Sequence, residues 1–206
     1  MTEKRSFRDW FDNVFWYHYK WYFLAAVFVL AVVIFIITDS PGKENYDMTV
    51  VLVQSGDVAE SQAATLLDGI ADAVGDVNGD GEVKLNYAYV NMGESSADKG
   101  ASGYSPVDQL LVYLTGDEYS LFIMDGEISN ECCQANYFED ALADYGIDTP
   151  EDDPYRVYLS DTGLMKKAGL DNRDYYGLIM DWTTVGKGSK DNTDAAVNAL
   201  KAILAS

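Results

Sequence analysis

The sequence predicts an α/β domain built on an open, largely parallel sheet with helices on both faces, preceded by one N-terminal transmembrane helix. Two observations support this prediction. Short apolar runs rich in β-branched residues alternate with segments in which apolar residues recur every three or four positions, which is the order of a strand-helix-strand fold. In addition, a 17-residue run without a charge lies ahead of all these elements.

The uncharged run covers residues 21–37, and with Thr38 it predicts a transmembrane helix over residues 21–38. Aromatic residues and Lys20 cluster at its N-terminal end, as they do at membrane interfaces. Because the basic flank is N-terminal, residues 1–20 are predicted to be cytoplasmic or interfacial. The alternative, a cleaved signal peptide, lacks an A-x-A site after the run. We therefore expect a single-pass signal-anchor protein of the cell membrane, with its C-terminal domain extracytoplasmic.

The charge of the chain is concentrated beyond the apolar run. Residues 39–206 hold 10 basic and 31 acidic residues, a net charge of −21, whereas residues 1–38 have a net charge of +1. A domain with this charge repels phosphate backbones, so we expect no nucleic-acid partner. Cations and basic or cell-wall partners are favoured instead.

Residues 39–47 are polar and turn-rich, so they predict a linker, and the folded extracytoplasmic domain is predicted over residues 48–206. The domain begins with a nearly continuous β-branched run over residues 48–54, typical of a strand buried on both faces. Asp57 and Glu60 form a capping-box pattern ahead of a helix. Apolar residues continue at helical spacing in that helix, namely Ala63, Leu66, Leu67, Ile70 and Val74.

The rest of the domain repeats the same alternation. Ser105 followed by Pro106 predicts a helix start, and Ser129 is predicted to cap a helix that ends near Gly146. Apolar or alternating runs predict the remaining strands, and apolar periodicity predicts a final helix. The strands are expected at residues 82–90, 119–125, 155–159 and 175–182, and the final helix at residues 194–204.

The most specific motif lies between the first helix and the second strand. Asp76, Asn78 and Asp80 occupy positions 1, 3 and 5 of a D-x-N-x-D-G pattern, Gly81 occupies position 6, and Glu82 follows at position 7. Oxygen ligands at this spacing are those of a calcium loop. The segment resembles the GDVNGDGxV loops of dockerin modules and EF-hand relatives, which implies a weak, structural Ca²⁺ site.

The resemblance ends after the first half of the loop. Position 12, which supplies a bidentate carboxylate in an EF-hand, is Tyr87, and a strand rather than a helix is predicted to follow. The alternative is a helix-to-strand turn in which Asn and Gly provide left-handed geometry and the acidic side chains remain solvated. Both interpretations stay open at this point.

Two further acidic residues follow predicted strands. The run LFIMD ends at Asp125 and the run GLIMD ends at Asp181, with Trp182 next to it. In open α/β sheets, ligands bind beyond the carboxyl ends of the strands. Asp125, Asp181 and Trp182 are therefore the candidate ligand-binding residues, and helix capping is the alternative role for the two aspartates.

Several classes of catalytic site are excluded by composition. The only histidine, His18, precedes the apolar run, so no site that needs an imidazole can form in the C-terminal domain. There is no P-loop and no G-x-G-x-x-G motif. Cys132 and Cys133 are adjacent, so they form either a strained vicinal bridge or two partly buried thiols.

The order of elements over residues 48–126, ending in DQLLVYLTGDEYSLFIMD, resembles the first lobe of periplasmic-type solute-binding proteins. The chain also resembles uncharacterised membrane-anchored extracytoplasmic proteins of Gram-positive bacteria. The leading hypothesis is a non-enzymatic binding or interaction domain of the cell envelope with an unidentified small-molecule ligand. The alternatives are a one-lobe, transporter-like solute-binding protein and a two-carboxylate enzyme that acts on glycans.

Overall fold

The computed structural model divides the chain into two compact units, Met1–Asn45 and Tyr46–Ser206. The first unit contains helix α1, Trp16–Thr38. Among the residues that the structure describes, no helix is both long enough and apolar enough to cross a membrane. The transmembrane helix over residues 21–38 therefore stays a prediction. The described residues are 16–38, 46–93, 104–116, 119–133, 137–140, 142–181 and 190–206.

The second unit is a mixed α/β domain, as predicted, and its described residues form a five-stranded sheet in the order β2-β1-β3-β5-β4. The predicted strands all occur, with shifts at their ends. The strands are β1 (Met48–Gln54), β2 (Leu85–Asn91), β3 (Tyr119–Asp125), β4 (Val157–Tyr158) and β5 (Tyr175–Ile179).

The strand directions differ from the prediction in one half of the sheet. Strand β1 pairs in parallel with both β2 and β3. Strand β5, however, runs antiparallel to both β3 and β4. The prediction of a largely parallel sheet is therefore wrong for β5. The reason is that a strand covered on both faces is apolar throughout, whichever way it runs.

Helices cover both faces of this sheet, because alternate side chains of a strand point to opposite sides. Val50 and Leu52 lie in one buried cluster with α2, α5 and α6, whereas Val51 and Val53 lie in a second cluster with α3 and α4. A short 3₁₀ helix, Leu142–Tyr145, also contributes. The helices are α2 (Glu60–Val74), α3 (Pro106–Thr115), α4 (Gly126–Cys133), α5 (Gly163–Ala168) and α6 (Lys190–Leu204).

The structure confirms the predicted N-terminal cap of α3 and contradicts those of α2 and α4. Helix α3 begins as expected, because Ser105 Oγ accepts a hydrogen bond from the Asp108 N–H and Pro106 is the first helical residue. Helix α2 does not use the predicted Asp57 and is capped at Ala59 instead, whose N–H donates to the Gln62 side chain.

The predicted cap at Ser129 is wrong. Helix α4 begins three residues earlier, at Gly126, directly after β3, and it ends at Cys133 rather than near Gly146. The carboxylate of Asp125 accepts a hydrogen bond from the Ile128 N–H at 3.2 Å, as an N-terminal cap does. The last residue of β3 therefore starts the following helix without a loop.

Strand β5 passes close beneath α6 at Gly177. A Cβ atom at this position would lie 2.6 Å from Leu200 Cδ1 and 3.1 Å from Leu159 Cδ1. Both leucines are fully buried, so neither can move into solvent. The absence of a side chain at Gly177 therefore sets the distance between the sheet and α6.

Replacing Gly177 with alanine should overpack this contact and lower the free energy of unfolding by about 1–3 kcal/mol. Denaturant titration of the full chain in detergent micelles measures the loss. Leu200→Ala, alone and combined with Gly177→Ala, is the control. Because shortening Leu200 removes the clash, the double variant should lose less than the sum of the single variants. If the losses in the free energy of unfolding were additive, the destabilisation by Gly177→Ala would not come from overpacking against Leu200.

Candidate functional site

An open cleft of about 670 Å³ lies at the edge of the sheet where β1 and β3 end. Ser55, the first residue after β1, lines it together with Asp125, the last residue of β3. Residues of α4, Arg156 just before β4, and residues 173, 174 and 176 at the start of β5 form the remaining walls. The volume lies within the range of ligand-binding clefts, about 300–1,000 Å³.

The position of this cleft follows from the connectivity of the sheet. The chain leaves β1 toward β2 on one side, and after β2 it returns across β1 to form β3 on the other side. The carboxyl ends of β1 and β3 therefore lie at the point where the strand order reverses. Open α/β sheets bind ligands in the crevice at this point.

Asp125 joins the segments that surround the cleft. Its Oδ2 atom accepts a hydrogen bond from the Ser55 N–H at 3.2 Å, and its Oδ1 atom accepts one from the Ile128 N–H at 3.2 Å. The residue is 8% exposed. Each oxygen of this carboxylate thus binds a backbone amide from a different segment, so Asp125 fixes the loop after β1 to the start of α4.

The loop after β1 is held from the other side by β2. The Asn91 Oδ1 atom accepts the Gly56 N–H at 2.8 Å, and the Asn91 amide donates to Asp57 Oδ1 at 3.1 Å. Gly56 has a φ of 123°, which favours glycine. A Cβ atom at Gly56 would lie 3.5 Å from Arg173 Nη2, so the Arg173 guanidinium lies close to this loop.

Arg173 reaches the cleft from the segment before β5. Its Nη1 atom lies 3.8 Å from Asp125 Oδ2, too far for a hydrogen bond but close enough for an ion pair. The backbone around it is fixed, because Ser160 Oγ donates to the Arg173 carbonyl and accepts from the Tyr175 N–H, each at 2.7 Å. The Arg173 side chain is 40% exposed.

Arg156 is held far more tightly. Its Nε and Nη2 atoms lie 2.7 and 2.5 Å from Asp153 Oδ2, and its Nη1 atom donates to Ser129 Oγ at 3.2 Å. The guanidinium also lies over the Tyr176 ring, 4.8 Å from its centroid. The hydrogen bond to Asp153 raises the pKa of Arg156 above its usual value, although partial burial opposes this. Arg156 therefore fixes one wall of the cleft.

Neither arginine was identified from the sequence. The available signal was their rarity, because Arg156 and Arg173 are the only arginines in residues 39–206, and both line this one cleft. Their proximity could not be predicted from the sequence, because 17 positions separate them in the chain and only the tertiary fold brings them together.

The structure does not bring the predicted ligand-binding residues together. Strand β5 is antiparallel to β3, so Asp125 lies opposite Tyr175, at the start of β5. Asp181 follows the far end of β5, at the opposite edge of the sheet, where its N–H donates to the Tyr137 carbonyl at 2.9 Å. Asp125 and Asp181 therefore lie at opposite edges of the sheet, and the ligand-binding role of each stays a prediction. Trp182 lies outside the described residues.

The two cysteines are free thiols at the end of α4, and both are half-buried. Burial raises the pKa of Cys132 to about 11, with a further contribution from the charge of Glu131. Burial likewise raises the pKa of Cys133 to about 11. Both thiols are therefore protonated at neutral pH and are poor nucleophiles.

The acidic loop between α2 and β2 is ordered by hydrogen bonds to its own backbone. Asp76 Oδ1 accepts the N–H groups of Gly79 and Asp80, at 2.6 and 3.2 Å, and its Oδ2 atom accepts that of Gly81 at 2.8 Å. Asn78 Oδ1 accepts the Asp80 N–H at 2.9 Å. The side chains thus adopt the geometry of a turn.

A cation of the protein itself lies beside this loop. The Lys84 ammonium is 2.8 Å from Glu82 Oε2 and 4.0 Å from Asp80 Oδ2. Its hydrogen bond and charge lower the pKa of Glu82. Within the described residues, no group of three or more Asp, Glu, His or Cys side chains is arranged to hold a metal ion. The calcium site at Asp76, Asn78, Asp80 and Glu82 stays a prediction.

A buried carboxylate outside the motif anchors the loop to the sheet. Asp47 is 6% exposed and accepts the N–H groups of Val77, Asn78 and Lys84, at 2.8, 3.0 and 2.7 Å. Asp47 was predicted to lie in the linker over residues 39–47, whereas the compact unit begins at Tyr46. Burial raises the pKa of Asp47, but the hydrogen bonds from Lys84, Asn78 and Val77 outweigh this effect and lower it below the usual value.

No protein-family model, curated protein or solved structure was found to match this chain.

Asp47→Ala should lower the free energy of unfolding at neutral pH by about 2–3 kcal/mol, because three partly buried backbone amides lose a charged acceptor. The pKa of Asp47 is depressed in the folded state, so its stabilisation is present above the unfolded pKa of about 3.9 and is lost as the pH falls through the folded pKa. The difference in the free energy of unfolding between wild type and variant should therefore become smaller in acid. Denaturant titrations at several pH values measure this difference. Asp72→Ala, which removes an exposed charge, is the control and should change little.

Calcium binding to the loop is tested by calorimetry on the full chain in detergent micelles. Because Lys84 already neutralises Glu82 and lies near Asp80, a calcium site should be weak, with a Kd of about 10⁻⁴–10⁻³ M. Lys84→Gln removes the competing cation and should strengthen binding about fivefold, whereas Asp80→Ala should abolish it. The same weak response in all three proteins would indicate general screening of the negative charge of residues 39–206, and the loop would be a turn only.

Proposed function

We propose that this chain is a non-enzymatic, membrane-anchored binding protein of the cell envelope. Its extracytoplasmic domain holds a small ligand in the cleft at the ends of β1 and β3. The observation on which this proposal depends most is the convergence at that cleft of a buried carboxylate, Asp125, and both arginines of the domain, Arg156 and Arg173. Polar groups that converge in a concave site are typical of a ligand-binding site.

The construction of the cleft also supports a binding role. Arg156 and Asp125 are fixed by hydrogen bonds to three segments of the chain, and Arg173 is held through its backbone by Ser160. A site whose groups are already in position pays a smaller entropy cost when a ligand binds. The surrounding negative charge favours approach by cations or by ligands with a positive group.

Membrane attachment is supported by helix α1. Its large apolar side chains are exposed, with Trp21 at 73%, Tyr22 at 75% and Phe28 at 69% of their full accessible area. Residues 21–37 hold no charge. A helix that is apolar on all sides is unstable in water and is stabilised by an apolar environment. The basic residues on its N-terminal side support a cytoplasmic N-terminus.

A one-lobe, transporter-like solute-binding protein is the second candidate. The observation that favours it is the position of the cleft, because a crevice at the carboxyl ends of parallel strands also suits a solute. The two candidates differ in partner, since a transporter-like protein would pass its ligand to a membrane permease. Co-purification of a multi-span membrane protein after cross-linking at the cleft would favour this second candidate.

Ligand binding is tested by thermal melts of the full chain in micelles with amino acids, short peptides and sugars. A ligand at 100 times its Kd adds about 2.7 kcal/mol, which should raise the midpoint by several degrees. Asn130→Trp introduces a large side chain at the cleft and should abolish the rise. Asn198→Trp, on the exposed side of α6, is the matched control. If the ligand raises the thermal midpoint of Asn130→Trp as much as that of the wild type, the ligand binds outside the cleft. Hydrolysis of a glycan by the chain would show that it is an enzyme.

Topology is tested with epitope tags on protoplasts. A tag after Ser206 should be accessible to antibody on intact protoplasts, whereas a tag before Met1 should become accessible only after permeabilisation. This result follows from the basic residues on the N-terminal side of the apolar run. The opposite labelling pattern would reverse the orientation, and release of the protein by a carbonate wash would contradict membrane insertion.

A further inference from the structure

We infer that the ligand of this cleft carries both a carboxylate and an amine, with Arg173 binding the carboxylate and Asp174 and Glu127 binding the amine. This inference rests on the proposed binding function of the cleft. The ligand class is therefore a small zwitterion, such as an amino acid or a short peptide.

Arg173 is the cationic group that is available to a ligand. Within the described part of the chain, its only ion-pair partner is Asp125, at 3.8 Å, and its side chain donates no hydrogen bond. A guanidinium has five N–H donors in a planar fork that matches a carboxylate. Asp125 does not depend on Arg173, because each of its oxygens already accepts a backbone N–H. Arg173 can thus turn toward a ligand without leaving a buried carboxylate unsatisfied.

Arg156 does not have this freedom. Its guanidinium is bound to Asp153, donates to Ser129 and lies against Tyr176. Moving it would break a hydrogen-bonded ion pair that is only 17–21% exposed. Arg156 is therefore a positioning residue, which holds the ring of Tyr176 in the cleft wall, and the ligand carboxylate is assigned to Arg173.

The amine is assigned from the acidic residues on the neighbouring wall. Glu127 and Asp174 both line the cleft and are exposed. Asp174 lies beside the start of α4, because its Cβ atom is 3.7 Å from where a Cβ atom at Gly126, the residue before Glu127, would be. Tyr158 donates a hydrogen bond to Asp174 Oδ1 at 3.2 Å, which orients this carboxylate. An ammonium group would bind here through charge-assisted hydrogen bonds.

Ligands with a single charge fit the cleft less well. A simple anion is repelled by the negative charge of residues 39–206, which is −21 in total. A simple cation binds the acidic wall but offers Arg173 no carboxylate and is repelled by its positive charge. A zwitterion satisfies both walls, and the volume of about 670 Å³ has room for an amino acid or a short peptide.

Calorimetry on the full chain in micelles tests this inference with L-alanine and L-alanyl-L-alanine as zwitterions. Propionate and ethylamine are the probes that hold only one of the two charges. At least one zwitterion should bind with saturation, and each single-charge probe should bind at least about tenfold more weakly. Equal affinity for propionate or ethylamine would overturn the inference.

Variants assign the two contacts. Arg173→Gln should weaken binding of the zwitterion about 10- to 100-fold, and Arg173→Lys, which keeps the charge but loses the fork, should weaken it less. Asp174→Asn should weaken binding of the zwitterion without changing the affinity for propionate. Lys166→Gln and Asp161→Asn make the same charge changes at an exposed ion pair of the domain and should have no effect. Thermal midpoints verify that each variant is folded.

Failure of this inference can be distinguished from failure of the proposed function. If no zwitterion binds but a sugar or another ligand does, and Asn130→Trp abolishes that binding, the cleft is a ligand site and the assigned ligand class is wrong. If Arg173→Gln weakens binding of the zwitterion no more than Lys166→Gln does, Arg173 does not bind the carboxylate. If Asn130→Trp affects the binding of no ligand, both the inference and the proposed function are wrong.

Discussion

The cleft depends on the carboxylate of Asp125, which ends β3, caps α4 and binds the backbone of the loop after β1. A carboxylate suits this position because it only accepts hydrogen bonds, and two backbone amides point toward it from different directions. The negative charge of the same group holds Arg173 nearby at 3.8 Å. One buried side chain therefore sets the positions of two walls of the cleft and of its most accessible cation.

A second buried carboxylate performs a similar structural task at the opposite edge of the sheet. Asp47 precedes β1 and binds three amides of the segment between α2 and β2. The amides bound by Asp47 come from an acidic turn whose own side chains bind its backbone, whereas those bound by Asp125 border an open cleft with two arginines. A large net negative charge thus does not define a site, and the position of the few cations is more informative.

The sequence predicted the elements whose signals are local. Strands β1 and β3 have the expected bounds, because their apolar runs stop at polar residues, and α3 begins at Ser105 and Pro106 as expected. The direction of β5 could not be predicted, since a strand covered by helices on both faces is apolar in either direction. Asp125 was identified as a cap or ligand residue, whereas Asp47 resembled a linker residue. Arg156 and Arg173 were missed, because only tertiary folding brings them to one cleft.

Amide hydrogen exchange, measured by NMR on the full chain in micelles, tests the role of Asp125 most directly. In the wild type, the amide hydrogens of Ser55 and Ile128 should be protected, because both are bound to its carboxylate. In Asp125→Ala, both should exchange at least about tenfold faster, while those of Val77 and Lys84, bound to Asp47, should keep their protection. Unchanged exchange at Ser55 and Ile128 would show that Asp125 does not hold the cleft together.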